Sequence, residues 1–346
     1  MAVPFRVLAI DGGGIRGIIP AAVLADLERR LAPNAIADVF DLIVGTSTGG
    51  ILALGLTVPE GGRPRHSAAR LLELYETEAE TIFPGGGPAS FGERLFGTRD
   101  PWKLALRDPL DLLMRKSKRE KAAGGAKYFV TGLEDVLARY LGDAPLESAL
   151  ADVVVTSYDM AYGEPVLFSS RPRPDFVTDV PMTVAARATS AGPTFFKPQL
   201  LTDGDRARVL VDGGVYVNNP SILGYLLGGQ AAAPDERPLL LVSLGTGMRP
   251  PRAPLTPVQM TDSFSTAGAL MSAVATGGGR MGDALLAGLA DGDAFRYWRV
   301  QTTVGTCSFT MDDSTPENVA CLGARARELV TEQAAELEKI AAAIRA

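Results

Sequence analysis

Histidine is almost absent: the chain has one in 346 residues. A Ser-His-Asp triad would have to use His66, because no other imidazole can serve as its base. That residue lies in Gly61-Gly62-Arg63-Pro64-Arg65-His66, the composition of an exposed loop. It also comes before any downstream acid, the reverse of the α/β-hydrolase order. His66 is therefore expected to be a solvated loop residue, and a serine nucleophile in this chain needs another base. Cysteine is nearly as scarce. Cys307 and Cys321 are too few for a disulfide framework and have no histidine neighbour for a metal site. They are expected as free thiols in a reducing cytosol. Excess positive charge is lacking too, since the net charge is −6, which leaves no global basic field for a nucleic-acid partner. No apolar run approaches bilayer-spanning length. No basic and apolar leader precedes Phe5, so no signal peptide is expected. The expected address is the cytoplasm, with the inner membrane face as a peripheral docking place.

What is present is alternation. Apolar strand-like runs at 5–10, 40–44, 151–157, 165–169, 208–211 and 238–243 interleave with helix-like segments near 18–30, 67–82, 129–141 and 181–190. This order predicts an α/β fold, a mostly parallel central sheet covered by helices. The last stretch, 316–345, reads as one amphipathic helix with Leu322, Leu329, Val330, Leu337, Ile340 and Ile344 inward. With no repeat and no hinge-like linker, residues 1–346 are expected to form a single domain.

Three turns carry the chemistry. Gly45-Thr46-Ser47-Thr48-Gly49 follows the apolar run 40–44 and leads into a helix-like segment. Glycines around the serine let the chain turn sharply and lift the hydroxyl above the sheet, as in a nucleophile elbow. Asp11-Gly12-Gly13-Gly14-Ile15-Arg16-Gly17 lies between the first strand and the first helix. It fits the dinucleotide pattern G-x-G-x-x-G, but that unit needs an acid at the end of the second strand. Asp41 opens that strand instead, and Ser47 stands where the ribose carboxylate belongs. The alternative use of the glycine turn is an oxyanion hole built from N–H groups of Gly12, Gly13 and Gly14, with Arg16 beside it. The third turn, Asp212-Gly213-Gly214, ends a short buried strand. Its carboxylate is the natural base once histidine is set aside, because burial beside a hydroxyl would raise its pKa.

Together these pieces resemble the patatin-like phospholipase family. The glycine-rich turn at 12–17, the G-x-S-x-G at 45–49 and the D-G-[AG] at 212–214 match its motifs. So do Ala188-Thr189-Ser190-Ala191-Gly192-Pro193, Asp212 through Pro220, and Ser243 through Gly247. The likeness runs from about residue 5 to 250. It implies a three-layer α/β/α sandwich and a Ser47–Asp212 dyad cleaving acyl esters of glycerolipids through an acyl-enzyme. It also implies that neither a metal nor an organic cofactor is required. Some bacterial members answer to cyclic nucleotides, which leaves such an activator open here. A catalytically silent patatin-like storage or binding protein remains the alternative from another class.

Segment 84–127 is irregular. It brings Arg115, Lys116, Lys118 and Arg119 close behind Phe91, Phe96 and Trp102. Two readings stand: a lid or membrane-facing insertion that docks on anionic lipid, and an ordinary solvated charged face.

Overall fold

The computed structural model describes residues 2–85, 128–193, 195–203, 206–249 and 278–346. The expected insertion at 84–127 lies almost wholly outside the described residues. The organising element is β1 (Phe5–Ile10), which is buried on both faces and, apart from Arg6, reads as an apolar run for that reason. It pairs in parallel with β2 (Leu42–Thr46), Ile10 opposite Gly45. Chain order then adds a short hairpin, β3 (Pro59–Glu60) with β4 (Arg63–Pro64), which lies off the main sheet. The main sheet continues with β5 (Asp152–Asp159), β6 (Glu164–Ser169), β7 (Gln199–Asp203), β8 (Arg206–Asp212), β9 (Leu239–Leu244) and β10 (Phe295–Val300). The spatial order is β10-β9-β1-β2-β5-β8-β7, with β6 also paired to β5.

Alternate residues along β1 build two cores. Leu8 and Ile10 join the larger cluster, packed with helices Ile18–Leu31, Thr48–Thr57 and Met182–Thr189. Val7 and Ala9 face the other cluster, under helix Ser221–Ala232 and the helix at 278–289. Helices on both faces of a largely parallel sheet make the expected α/β/α sandwich.

One departure from parallel order matters for function. β2 ends where Thr46 lies opposite Thr156 of β5. The next residue of β5, Ser157, lies opposite Asp212 of the antiparallel β8. Because β6 already occupies the far edge of β5 at that level, β8 runs down the same edge as β2 and meets it end to end. Residues that close two oppositely directed strands thus arrive at one point.

Three expectations are corrected. Cys307 and Cys321 are not free thiols: they form a disulfide with Cα atoms 5.6 Å apart. The chain after β10 folds back onto the helix that begins at Pro316, and this brings the pair together. The expected single C-terminal helix is two, Pro316–Glu332 and Ala334–Arg345. The break at Gln333 lets both segments pack on helix Ile18–Leu31. His66 is not solvated but half-buried. Its ring lies 5.2 Å from that of Tyr140, and Nε2 is 2.7 Å from the Tyr140 carbonyl oxygen.

Candidate active site

Ser47 sits between β2 and helix Thr48–Thr57 with φ 54° and ψ −122°. A non-glycine residue there is strained by roughly 1–3 kcal/mol and needs its surroundings to hold it. The flanking glycines show why the turn is possible. A Cβ at Gly45 would lie 2.3 Å from the Gly49 carbonyl oxygen, and one at Gly49 would lie 2.1 Å from that of Ile10. Strand, helix and the end of β1 therefore approach at backbone contact, and the serine is the residue pushed out.

The Ser47 hydroxyl lies near enough to Asp212 to act on its carboxyl. Asp212 Oδ1 accepts the Gly214 N–H at 2.8 Å. Burial pushes the carboxyl up from 3.8 to about 6, and the Ser47 and Gly214 donors pull against that rise. A carboxylate tuned in this direction is a better base than a free aspartate while still ionised at neutral pH. His66 contacts neither residue; burial against Tyr140 lowers its pKa.

The glycine turn lies against Ser47: a Cβ at Gly12 would come within 3.2 Å of Ser47 Cβ. The four residues expected at the hole divide. The Gly12 N–H is committed to the Asn218 carbonyl at 2.9 Å, so it is withdrawn from the oxyanion role. The Gly12 carbonyl is itself fixed by Thr246 Oγ1 at 2.7 Å and Asn218 Nδ2 at 3.2 Å. Among the described residues no acceptor takes up the Gly13 or Gly14 N–H. Gly14 turns at φ 60°, and a Cβ there would meet the Met311 carbonyl oxygen at 2.1 Å. Arg16 is buried and spends its donors on the carbonyls of Gly13, at 3.3 Å, and Gly247, at 3.0 Å. Its guanidinium lies 4.0 Å over the Phe309 ring. Burial, with Arg249 nearby, pushes its pKa down to about 10, so the charge persists at neutral pH. Arg16 thus braces the turn through Nε and Nη1. Asp11 holds Arg299 in a two-pronged pair at 2.9 and 2.6 Å.

Two further residues complete the frame. Thr189 Oγ1 accepts the Ser47 N–H at 2.8 Å. Thr46 Oγ1, at the end of β2, bonds Thr156 Oγ1 and the Val217 carbonyl, each at 2.8 Å. The sequence displayed Thr189, Asn218 and Thr246 inside matched stretches without indicating their roles. Arg299, Phe309 and Met311 carried no local signal, because their partners are more than 280 residues away in the chain.

A strained strand-to-helix serine beside a half-buried carboxylate, on a helix-covered, largely parallel sheet, defines an α/β protein of the nucleophile-elbow class. Within that class, the family model of the patatin-like phospholipase matches residues 8–222, and the chain belongs to that family. It is 33% identical over 264 residues to patatin-like protein 1 of Arabidopsis thaliana, covering 70% of this chain and 58% of the relative. It is 34% identical over 230 residues to a cGAMP-activated phospholipase of Escherichia coli (strain TW11681), covering 64% of this chain and 55% of the relative. The chain thus spans a little over half the length of these relatives. Among solved structures, human GIVD cytosolic phospholipase A2 is similar at 14% identity and a TM-score of 0.42, over 99% of this chain and 60% of that one. No helix among the described residues is long and apolar enough to cross a membrane.

Proposed function

We propose that the chain is a lipid acyl hydrolase that cleaves ester bonds of glycerophospholipids through a Ser47–Asp212 dyad. The observation that carries this reading is the placement of Ser47, on its strained elbow, beside a half-buried carboxylate whose pKa is raised to about 6. Asp212 takes the Ser47 proton as Oγ attacks the ester carbon. The negative charge that moves onto the carbonyl oxygen is received by the N–H groups of Gly13 and Gly14. Removing one such donor typically costs about 3 kcal/mol of barrier stabilisation. The tetrahedral species collapses to an acyl-serine, and Asp212 returns the proton to the departing alcohol oxygen. Water, deprotonated by Asp212, then attacks the acyl-serine and releases a fatty acid with Ser47 restored.

Family membership supports the lipid substrate, and the absence of histidine from the site is consistent with a two-residue mechanism. The E. coli relative named for cGAMP activation supports testing that nucleotide as an activator here. The decisive assay is fatty-acid release from mixed phospholipid vesicles, with p-nitrophenyl ester turnover in parallel and cGAMP present or absent. Wild type should turn over both substrates. Ser47→Ala should lose at least about a thousandfold, on the scale of nucleophile loss in other serine hydrolases. A folded wild type inert toward every ester, with and without cGAMP, overturns the reading in favour of a silent binding protein.

A further inference from the structure

The short stretch that closes helix Met182–Thr189 touches both members of the dyad. Thr189 is fully buried, and its Oγ1 accepts the Ser47 main-chain N–H at 2.8 Å. Two residues on, the Ala191 carbonyl accepts the Asp212 main-chain N–H at 3.0 Å. Gly192 follows, and a Cβ there would lie 3.8 Å from Asp212 Oδ2. The stretch itself is pinned to its helix, since Ser190 Oγ donates to the Ala186 carbonyl at 2.6 Å. Nucleophile and base therefore hang from one rigid segment, three residues from end to end.

We propose that Thr189 is a positioning residue for the reaction: its hydroxyl oxygen holds the Ser47 peptide in the left-handed conformation that aims Oγ at Asp212. This rests on the dyad reading of the preceding section. The physical need is specific. Ser47 at φ 54° has no favourable backbone well of its own, so something must fix the peptide on its N-terminal side. Helix Thr48–Thr57 fixes the C-terminal side, the Ser47 carbonyl accepting the Ile51 N–H at 3.0 Å. Among the described residues Thr189 Oγ1 is the acceptor for the Ser47 N–H. Without it the donor is left buried and unsatisfied, and the peptide is free to relax toward an ordinary conformation. A displacement of the attacking oxygen by about 1 Å is enough to cost about a hundredfold in rate.

Thr189 also has a packing role, and the experiment separates the two. Its methyl faces helix Thr48–Thr57, since a Cβ on Gly50 would lie 2.8 Å from Thr189 Cγ2. Thr189→Val keeps that shape and loses the acceptor, whereas Thr189→Ser keeps the acceptor and loses the methyl. With p-nitrophenyl ester as substrate, Thr189→Val should lower kcat by about 10- to 100-fold with KM nearly unchanged. Thr189→Ser should stay within about threefold of wild type, because it retains the geometry that sets the rate. The rate at which a fluorophosphonate labels Ser47 should follow the same order. Wild-type activity equalled by Thr189→Val, or Val and Ser falling equally, overturns the proposal and leaves Thr189 as a packing residue. If Thr189→Val does not fold, Thr189→Ala against Thr189→Ser makes the same comparison, with the methyl absent from both. Failure of the dyad reading is visible separately, as a wild type that neither turns over ester nor labels at Ser47.

Discussion

Replacing Asp212 by Asn should make the protein inactive and more stable, and the size of the second effect follows from the site. The folded-state pKa of Asp212 is raised from 3.8 to about 6, so the native fold disfavours the charged carboxylate. At about 1.4 kcal/mol per pKa unit, holding it ionised at neutral pH costs at most about 3 kcal/mol. The side chain stands half-open at the mouth of the site, and solvent screening there reduces the figure to about 1–2 kcal/mol. For an acid whose pKa rises on folding, this cost is absent below the unfolded-state value and complete above the folded-state value. Asn removes the charge, can still accept the Gly214 N–H and can donate to Ser47. Denaturant unfolding at pH 7.5 should therefore show Asp212→Asn more stable than wild type by about 1–2 kcal/mol, with the gap about halved at pH 5 and gone below about pH 3.8. The kcat/KM of wild type should rise with pH through about 6, while the variant loses orders of magnitude in turnover. A variant less stable than wild type at pH 7.5, or a gap that does not change with pH, would refute the claim that the fold holds this charge at a cost.

Two other substitutions probe the frame. His66→Ala should leave ester turnover within a few-fold of wild type, because the ring packs on Tyr140 and touches neither dyad residue; an inactive but folded variant would restore the triad. Gly14→Ala should destabilise by about 1–3 kcal/mol and depress kcat more than KM, since its Cβ would collide with the Met311 carbonyl and the residue turns at φ 60°. Thermal melting beside steady-state kinetics measures both effects, and a variant with wild-type melting and rates would show that the turn tolerates displacement.

Local chemistry was legible, and long-range support was not. The strand at 5–10, the elbow at Ser47 and the Asp212 turn could be placed from apolar runs punctuated by glycine, because each is decided within a few residues. The first two strands do lie side by side, Ile10 opposite Gly45, which brings their C-terminal turns together. The antiparallel entry of β8 was invisible, since strand direction depends on the path taken by the connection rather than on the strand's own residues. β7 and β10 were passed over. Gln199–Asp203 mixes polar and apolar residues on an edge, and Phe295–Val300 carries two arginines, one of which, Arg299, answers to the distant Asp11. At the glycine turn, the N–H groups of Gly12, Gly13 and Gly14 were candidates, with Arg16 beside them. What separated Gly12 and Arg16 from Gly13 and Gly14 was hydrogen bonding to residues 218 and 247, which no short pattern encodes. The disulfide was missed for a related reason: two cysteines 14 residues apart are uninformative until the intervening loop is known to double back.

The buttress of the glycine turn has a consequence for where the working unit ends. The family match stops at residue 222, and by then Ser47, Asp212 and every glycine of the turn have been supplied. Yet the Asp11 counter-ion, the ring beneath Arg16 and the carbonyl packed on Gly14 all come from residues 299–311. A fragment cut at the boundary of the match would also strip β9 from β1, exposing an apolar edge ready to pair with another copy. Such a piece would carry all three family turns at 12–17, 45–49 and 212–214 and behave as an aggregation-prone remnant. In this chain the recognisable part and the self-sufficient part are different lengths of polypeptide.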